Sequence, residues 1–276
     1  MKKLIITILK PIIYYFLLGV VATICLTIVD LIINIIIGLN TGNFNFEKRI
    51  LSNIPYLGDL IVNIVIAIVY AKWYSKLKKN KTAVNKKCMT IKDICLLIAL
   101  SISVIFIVDG LIDILFLIIK TYYPKIINNY QNRINFIYGG SFVLLALKLA
   151  IISPISEELV FRGVVLAKTS CLLPFYVANI IQSLLFALLH LNLIQVIYAF
   201  PIGILLGYIT MMYKSIIPSI IIHILFNTYF LALLAGNAYF KYPKINLLWL
   251  NLIITIVGTI LLIICFKSIK RHKTSF

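Results

Sequence analysis

The stretch Pro154-Ile155-Ser156-Glu157-Glu158-Leu159-Val160-Phe161-Arg162-Gly163 sits inside an apolar run that extends over about 140–167. A helix needs roughly 20 predominantly apolar residues to cross the hydrocarbon core of a bilayer, and this run is long enough. It nevertheless holds two acids and an arginine. On insertion scales each charge at the bilayer centre costs at least about 2.5–3.5 kcal/mol, so such groups persist where they are paired or where they act. The surrounding sequence shows that the run belongs to a membrane protein.

The chain has 276 residues, 62% of them hydrophobic and 12% charged, with a mean hydropathy of +1.08. Soluble domains carry about 25% charged residues. The composition excludes a soluble globular enzyme, a disordered chain and a disulfide-stapled secreted domain. The formal charge of +18 comes from 26 Lys and Arg against 8 Asp and Glu. On a soluble protein that excess would point to nucleic acid. Here the basic residues occupy short polar connections between apolar runs, so they report membrane topology, and no nucleic-acid partner is expected. The cysteines (Cys25, Cys88, Cys95, Cys171, Cys265) are scattered without a CxxC pair, which indicates neither a disulfide framework nor a thiolate zinc site.

Apolar runs predict spans over about 11–37, 55–74, 93–119, 140–167, 172–190, 193–213, 216–235 and 246–266. The first follows Met1-Lys2-Lys3 but is too long for a signal peptide and lacks a convincing small-residue cleavage site, so it reads as an uncleaved helix. With a cytoplasmic N-terminus, most lysines and arginines fall on the inside, above all in the basic 72–92 connection, expected to be a mobile loop. The expected fold class is an all-α polytopic membrane protein of about eight transmembrane helices with both termini cytoplasmic. It forms one integral domain over 1–276, a multi-pass protein of the cell membrane, with a motif-bearing core at about 140–235.

Adjacent helical residues point about 100° apart, so Glu157 and Glu158 cannot face one pocket together. Glu158 and Arg162 stand at i,i+4, the spacing of a same-helix ion pair. Glu157 is then the freer carboxylate, which suits a general base. His190 follows Phe186-Ala187-Leu188-Leu189. His223 and Asn227, again at i,i+4, share a helix face and are placed to act together on one ligand atom; helix–helix hydrogen bonding is the alternative. Only 3 histidines exist in the chain, and two of them lie in apolar helices. Asp109 and Asp113 share a face of the third span, expected either to pair with Lys148 or to line the same cavity. Asp30 and Asp59 lie in or near the first two spans.

Glu-Glu-x-x-x-Arg, Phe-x-x-x-His and His-x-x-x-Asn, in that order within a set of membrane spans, resemble the motifs of the CPBP (CAAX protease and bacteriocin-processing, or Abi) intramembrane endopeptidases. Pro154, Phe161-Arg162-Gly163, the Gly203/Gly207 pattern and Pro218 are similar too. The resemblance covers roughly 150–230. It implies hydrolysis of a peptide bond in a membrane-associated peptide or protein, with Glu157 and His190 activating water. His223 and Asn227 would form the oxyanion hole, and Glu158 and Arg162 would support them. Relatives act on prenylated CAAX proteins, in peptide maturation or in bacteriocin self-immunity.

Members of that family have also been described as metalloproteases, and Glu157, His190 and His223 offer a His₂Glu zinc set. HExxH is absent from the sequence, so no metal and no cofactor are expected. The rivals are a non-catalytic immunity or scaffold protein and a small transporter with a proton relay. The expected partners are the substrate and the lipid bilayer. One expectation conflicts with the rest. With about 1.5 Å of rise per residue, His190 falls some 27 Å along its span and His223 about 10 Å from the same side, so a shared site requires the fifth and sixth spans to be short, tilted or partly outside the bilayer, or a span boundary to differ.

Overall fold

A computed structural model of the chain describes residues 2–41, 54–79, 89–122, 142–240 and 248–274. These residues are all-helical: α1 (Lys2–Thr41), α2 (Ile54–Lys79), α3 (Ile91–Tyr122), α4 (142–169), α5 (Phe175–Leu188), α6 (Leu193–Tyr213), α7 (Ile217–Phe240) and α8 (Leu248–Thr274). Helices α1, α2, α3, α6 and α8 are each long and apolar enough to cross a membrane; α5 and the 217–233 part of α7 are shorter apolar helices. Apolar side chains such as Ile13, Val20 and Ile24 of α1 and Ile253, Ile256 and Ile260 of α8 stand exposed. In water such a surface would aggregate, whereas lipid tolerates it and leaves only backbone polar groups to be satisfied within helices. The protein is a polytopic all-α membrane protein.

Local chemistry sets the helix ends. Thr90 and Asp93 form a reciprocal cap at the start of α3: Asp93 N–H donates to Thr90 Oγ1 at 3.2 Å and Thr90 N–H donates to Asp93 Oδ2 at 2.9 Å. Asn192 caps α6 by accepting from the backbone of Ile194 and Gln195. Lys214 closes α6 in the left-handed region, φ 50°. The 72–92 connection is shorter than expected, because α2 runs on to Lys79 and α3 begins at Ile91; 80–88 lie outside the described residues.

Small residues let the helices approach, as expected where lipid supplies no hydrophobic drive. At Gly110 of α3, a Cβ would fall 2.2 Å from Thr255 Oγ1 of α8. At Gly207 of α6 it would fall 1.9 Å from Asn179 Oδ1 of α5, and at Gly203 2.9 Å from Ser183 Cβ. One apolar core joins α1, α2, α4, α5 and α6; a second joins α3, α6, α7 and α8. Helix α4 lies at the centre, against α1, α2, α5 and α7.

Two expectations are corrected here. Lys148 pairs with Asp59 of α2, not with Asp109 or Asp113. Asp109 instead accepts a 3.0 Å hydrogen bond from the Tyr229 hydroxyl. Depth also differs. Helix α5 has 14 residues against 21 in α6. It starts part-way along α6, with Phe175 level with Tyr208, ring centroids 6.3 Å apart. Phe186 consequently touches both His190 and His223.

Candidate active site

Helix α4 does not keep one geometry. Wide π turns at Leu147–Ile152 and Leu159–Leu166 flank an α-helical segment, Ser153–Glu158, that presents the acidic pair. Inserted π turns are uncommon and are found disproportionately at functional sites. Ser156 adds a tie to α2: its hydroxyl lies 3.1 Å from Asn63 Oδ1, with Asn63 Nδ2 donating to the Asp59 carbonyl at 2.8 Å.

The two acids have different surroundings. The Glu158 side chain has no exposed surface. Its Oε1 accepts from Arg162 Nη1 at 2.7 Å and sits 2.9 Å from His223 Nδ1. Arg162, equally buried, also donates from Nη2 to the Gly203 carbonyl at 3.2 Å and stacks over the Phe186 ring at 4.5 Å. An isolated charge this deep would be strongly unfavourable; the pair persists because each group has a partner of opposite sign and further contacts. Glu157 is 21% exposed, and its Oε2 stands 3.7 Å from His223 Nε2. That separation is longer than a hydrogen bond and leaves the carboxylate accessible. Tyr15 of α1 lies close enough to interact with the Glu157 charge.

His223 therefore stands between the two carboxylates, one at each ring nitrogen; the expectation that adjacent helical positions keep the two acids from one pocket is corrected, because a single ring from α7 reaches both. A carboxylate oxygen accepts, so the short contact to Glu158 places a proton on Nδ1 and turns Nε2 toward Glu157. His190 is held differently. It follows the last turn of α5, before Leu191, which adopts φ 51°. His190 Nδ1 lies 2.9 Å from the Phe186 carbonyl. A carbonyl can only accept, so Nδ1 carries a proton, and Nε2 is the ring nitrogen left for a ligand. Asn227 donates from Nδ2 to the Leu149 carbonyl at 2.9 Å, anchoring α7 to the first π turn of α4. An amide has two N–H groups, so one donor remains for a ligand.

Phe186 organises the set. Its ring meets His190 edge-on at 5.0 Å and His223 at 5.7 Å, with the Arg162 guanidinium over its face. Sequence reasoning treated Phe186 as the first letter of a motif and gave it no role. Tyr15 of α1 and Asn63 of α2 gave no signal in sequence, since neither belongs to a spaced motif.

Among the described residues no three His, Cys, Asp or Glu side chains are grouped to hold a metal ion. Of the set Glu157, His190 and His223, Glu157 Oε2 and His223 Nε2 stand 3.7 Å apart, and the Nδ1 of each histidine is held by a neighbouring acceptor, Glu158 for His223 and the Phe186 carbonyl for His190.

Comparison with curated proteins and with solved structures gave no match. Residues 139–229, about a third of the chain, match the family model described as type II CAAX prenyl endopeptidase Rce1-like. The match takes in Glu157, Glu158, Arg162, His190, His223 and Asn227, the residues that the fold gathers from α4, α5 and α7. The segment that carries the site, residues 139–229, is thus similar to the type II CAAX prenyl endopeptidase (Rce1-like) family.

Proposed function

We propose that the protein is a metal-free endopeptidase of the cell membrane that hydrolyses a peptide bond in a membrane-associated peptide or protein. The observation that carries this reading is the division of labour between adjacent carboxylates. Glu158 is consumed by Arg162 and His223, while Glu157 is left partly exposed beside the histidine.

Glu157 takes a proton from a water molecule, and the resulting hydroxide attacks the scissile carbonyl carbon. The Nε2 lone pair of His190 accepts from the same water and aims it. The carbonyl oxygen becomes an oxyanion, and donors placed where charge develops are worth the most. A proton on His223 Nε2, with Nδ1–H held by Glu158, and the second N–H of Asn227 supply them. Glu157 then gives its proton to the departing amine as the C–N bond breaks. Glu158 and Arg162 act by position, holding the Nδ1 side of His223 and the α4–α6 contact.

Access from the bilayer is supported by a cleft of about 370 Å³ between α1 and α2, lined by Tyr15, Gly19, Asn63 and Ile66 among others. Asn63 contacts Ser156, next to Glu157, so the cleft leads to the catalytic turn. Its apolar walls suit a hydrophobic segment of substrate.

Membrane fractions from cells carrying the wild-type protein and Glu157→Ala, compared by proteomics, test the reading. Uncleaved species should accumulate with the variant. Identical profiles, with any protective effect of the protein intact, would instead support a non-catalytic immunity or scaffold role.

A further inference from the structure

Three helix termini meet on the face of the molecule where α2 and α4 end. Lys10 comes from the third turn of α1, Lys72 and Lys76 from the end of α2, and Lys168 from the last turn of α4. All four line one cavity of about 730 Å³. Among the described residues none of them has a carboxylate within ion-pair distance. Lys10 is close enough to Lys168 to repel it. Four like charges around one hollow oppose each other unless an anion lies between them.

The rest of the cavity says what kind of anion. Lys168 Nζ stacks over Trp73 at 4.6 Å, Lys10 Nζ lies 5.6 Å from the Tyr14 ring, and the two rings are 5.9 Å apart. Trp and Tyr beside lysines mark the headgroup level of a bilayer. Toward the membrane interior the floor becomes apolar, with Leu17, Val21 and Val69. Cationic rim, aromatic waist and apolar floor follow the chemical profile of a phospholipid from phosphate to acyl chain. A soluble anion would leave the floor unused, and an acidic peptide would place backbone polar groups against it.

We infer that this cavity binds an anionic phospholipid, its phosphate among Lys10, Lys72, Lys76 and Lys168 and the start of its acyl chains on the α1–α2 floor. The site is independent of the peptidase reading.

The chain has 2 tryptophans, so Trp249→Phe leaves Trp73 as the only one. That variant, in nanodiscs, is titrated with phosphatidylglycerol or phosphatidylcholine carrying brominated acyl chains, which quench nearby tryptophan. Quenching should be stronger with phosphatidylglycerol and saturable. Adding Lys72→Gln, Lys76→Gln and Lys168→Gln should weaken half-saturation at least about tenfold. Lys214→Gln with Lys267→Gln should leave it unchanged. Equal quenching by the two lipids overturns the inference, as does equal weakening in the control pair. Relief of quenching by millimolar inorganic phosphate or by an acidic peptide also overturns it. The two-lipid comparison uses intact lysines, so it decides the matter even where the triple variant does not fold.

Discussion

Glu158 Oε1 and His223 Nδ1 lie 2.9 Å apart although 65 positions separate them in sequence. This contact joins α4 to α7 and sets which nitrogen of His223 faces Glu157. It also makes the two neighbouring glutamates unequal. One is wholly buried and paired with Arg162; the other is 21% exposed.

The buried pair should dominate stability. Glu158→Ala leaves the Arg162 guanidinium buried without its carboxylate, and a loss of about 3–5 kcal/mol is expected. Arg162→Lys should not restore it, because Arg162 uses two separate nitrogens, on Glu158 and on the Gly203 carbonyl. Glu158→Leu combined with Arg162→Met should recover much of the stability while activity stays lost. Thermal unfolding in detergent measures all three.

Glycine substitutions separate close packing from free surface. Gly207→Ala drives a methyl group into Asn179 and should lower the unfolding temperature markedly, with Gly203→Ala less severe because the Ser183 contact is longer. Gly19→Ala meets nothing within 4 Å, so it should leave stability unchanged or raise it slightly. Comparable losses at Gly207 and Gly19 would show that the α5–α6 approach is looser than described.

These contrasts also show what sequence could and could not convey. Eight apolar runs were legible because a bilayer demands length and hydropathy, and the helices follow them closely. The Glu158–Arg162 pair was legible because i,i+4 spacing is local. The partner of Lys148 was not, because Asp59 is 89 positions away and only packing chooses between it and Asp109 or Asp113. The relative depth of His190 and His223 stayed open in the sequence for a similar reason. Hydropathy marks where helices lie, but the offset of α5 along α6 comes from Gly203 and Gly207 meeting Ser183 and Asn179. The role of Phe186 as common support for two histidines and an arginine was equally a matter of packing.

The site histidine and amide should affect turnover more than binding. Asn227→Leu removes one oxyanion donor, and kcat should fall about 10²–10³-fold with KM little changed. Asn227 also ties α7 to Leu149, so a folding control by size-exclusion chromatography accompanies the assay. His190→Ala should lower kcat, with the loss confined to the chemical step in single-turnover kinetics. A change in KM alone would place these residues in substrate binding.

Strong chelators distinguish the metal-free mechanism from a zinc one. Purified protein incubated with them and then freed of chelator should cleave at its original rate. Complete loss, reversed by added zinc, would overturn the metal-free reading and leave the family assignment intact.

The most direct measurement is cleavage of a membrane-associated reporter peptide by purified protein in proteoliposomes, wild type against Glu157→Gln. The substitution keeps shape and removes the base, so the folded variant should lose at least about 10²-fold in kcat with an unchanged unfolding temperature. Undiminished cleavage by a properly folded Glu157→Gln protein would contradict the assignment of Glu157 as the catalytic base.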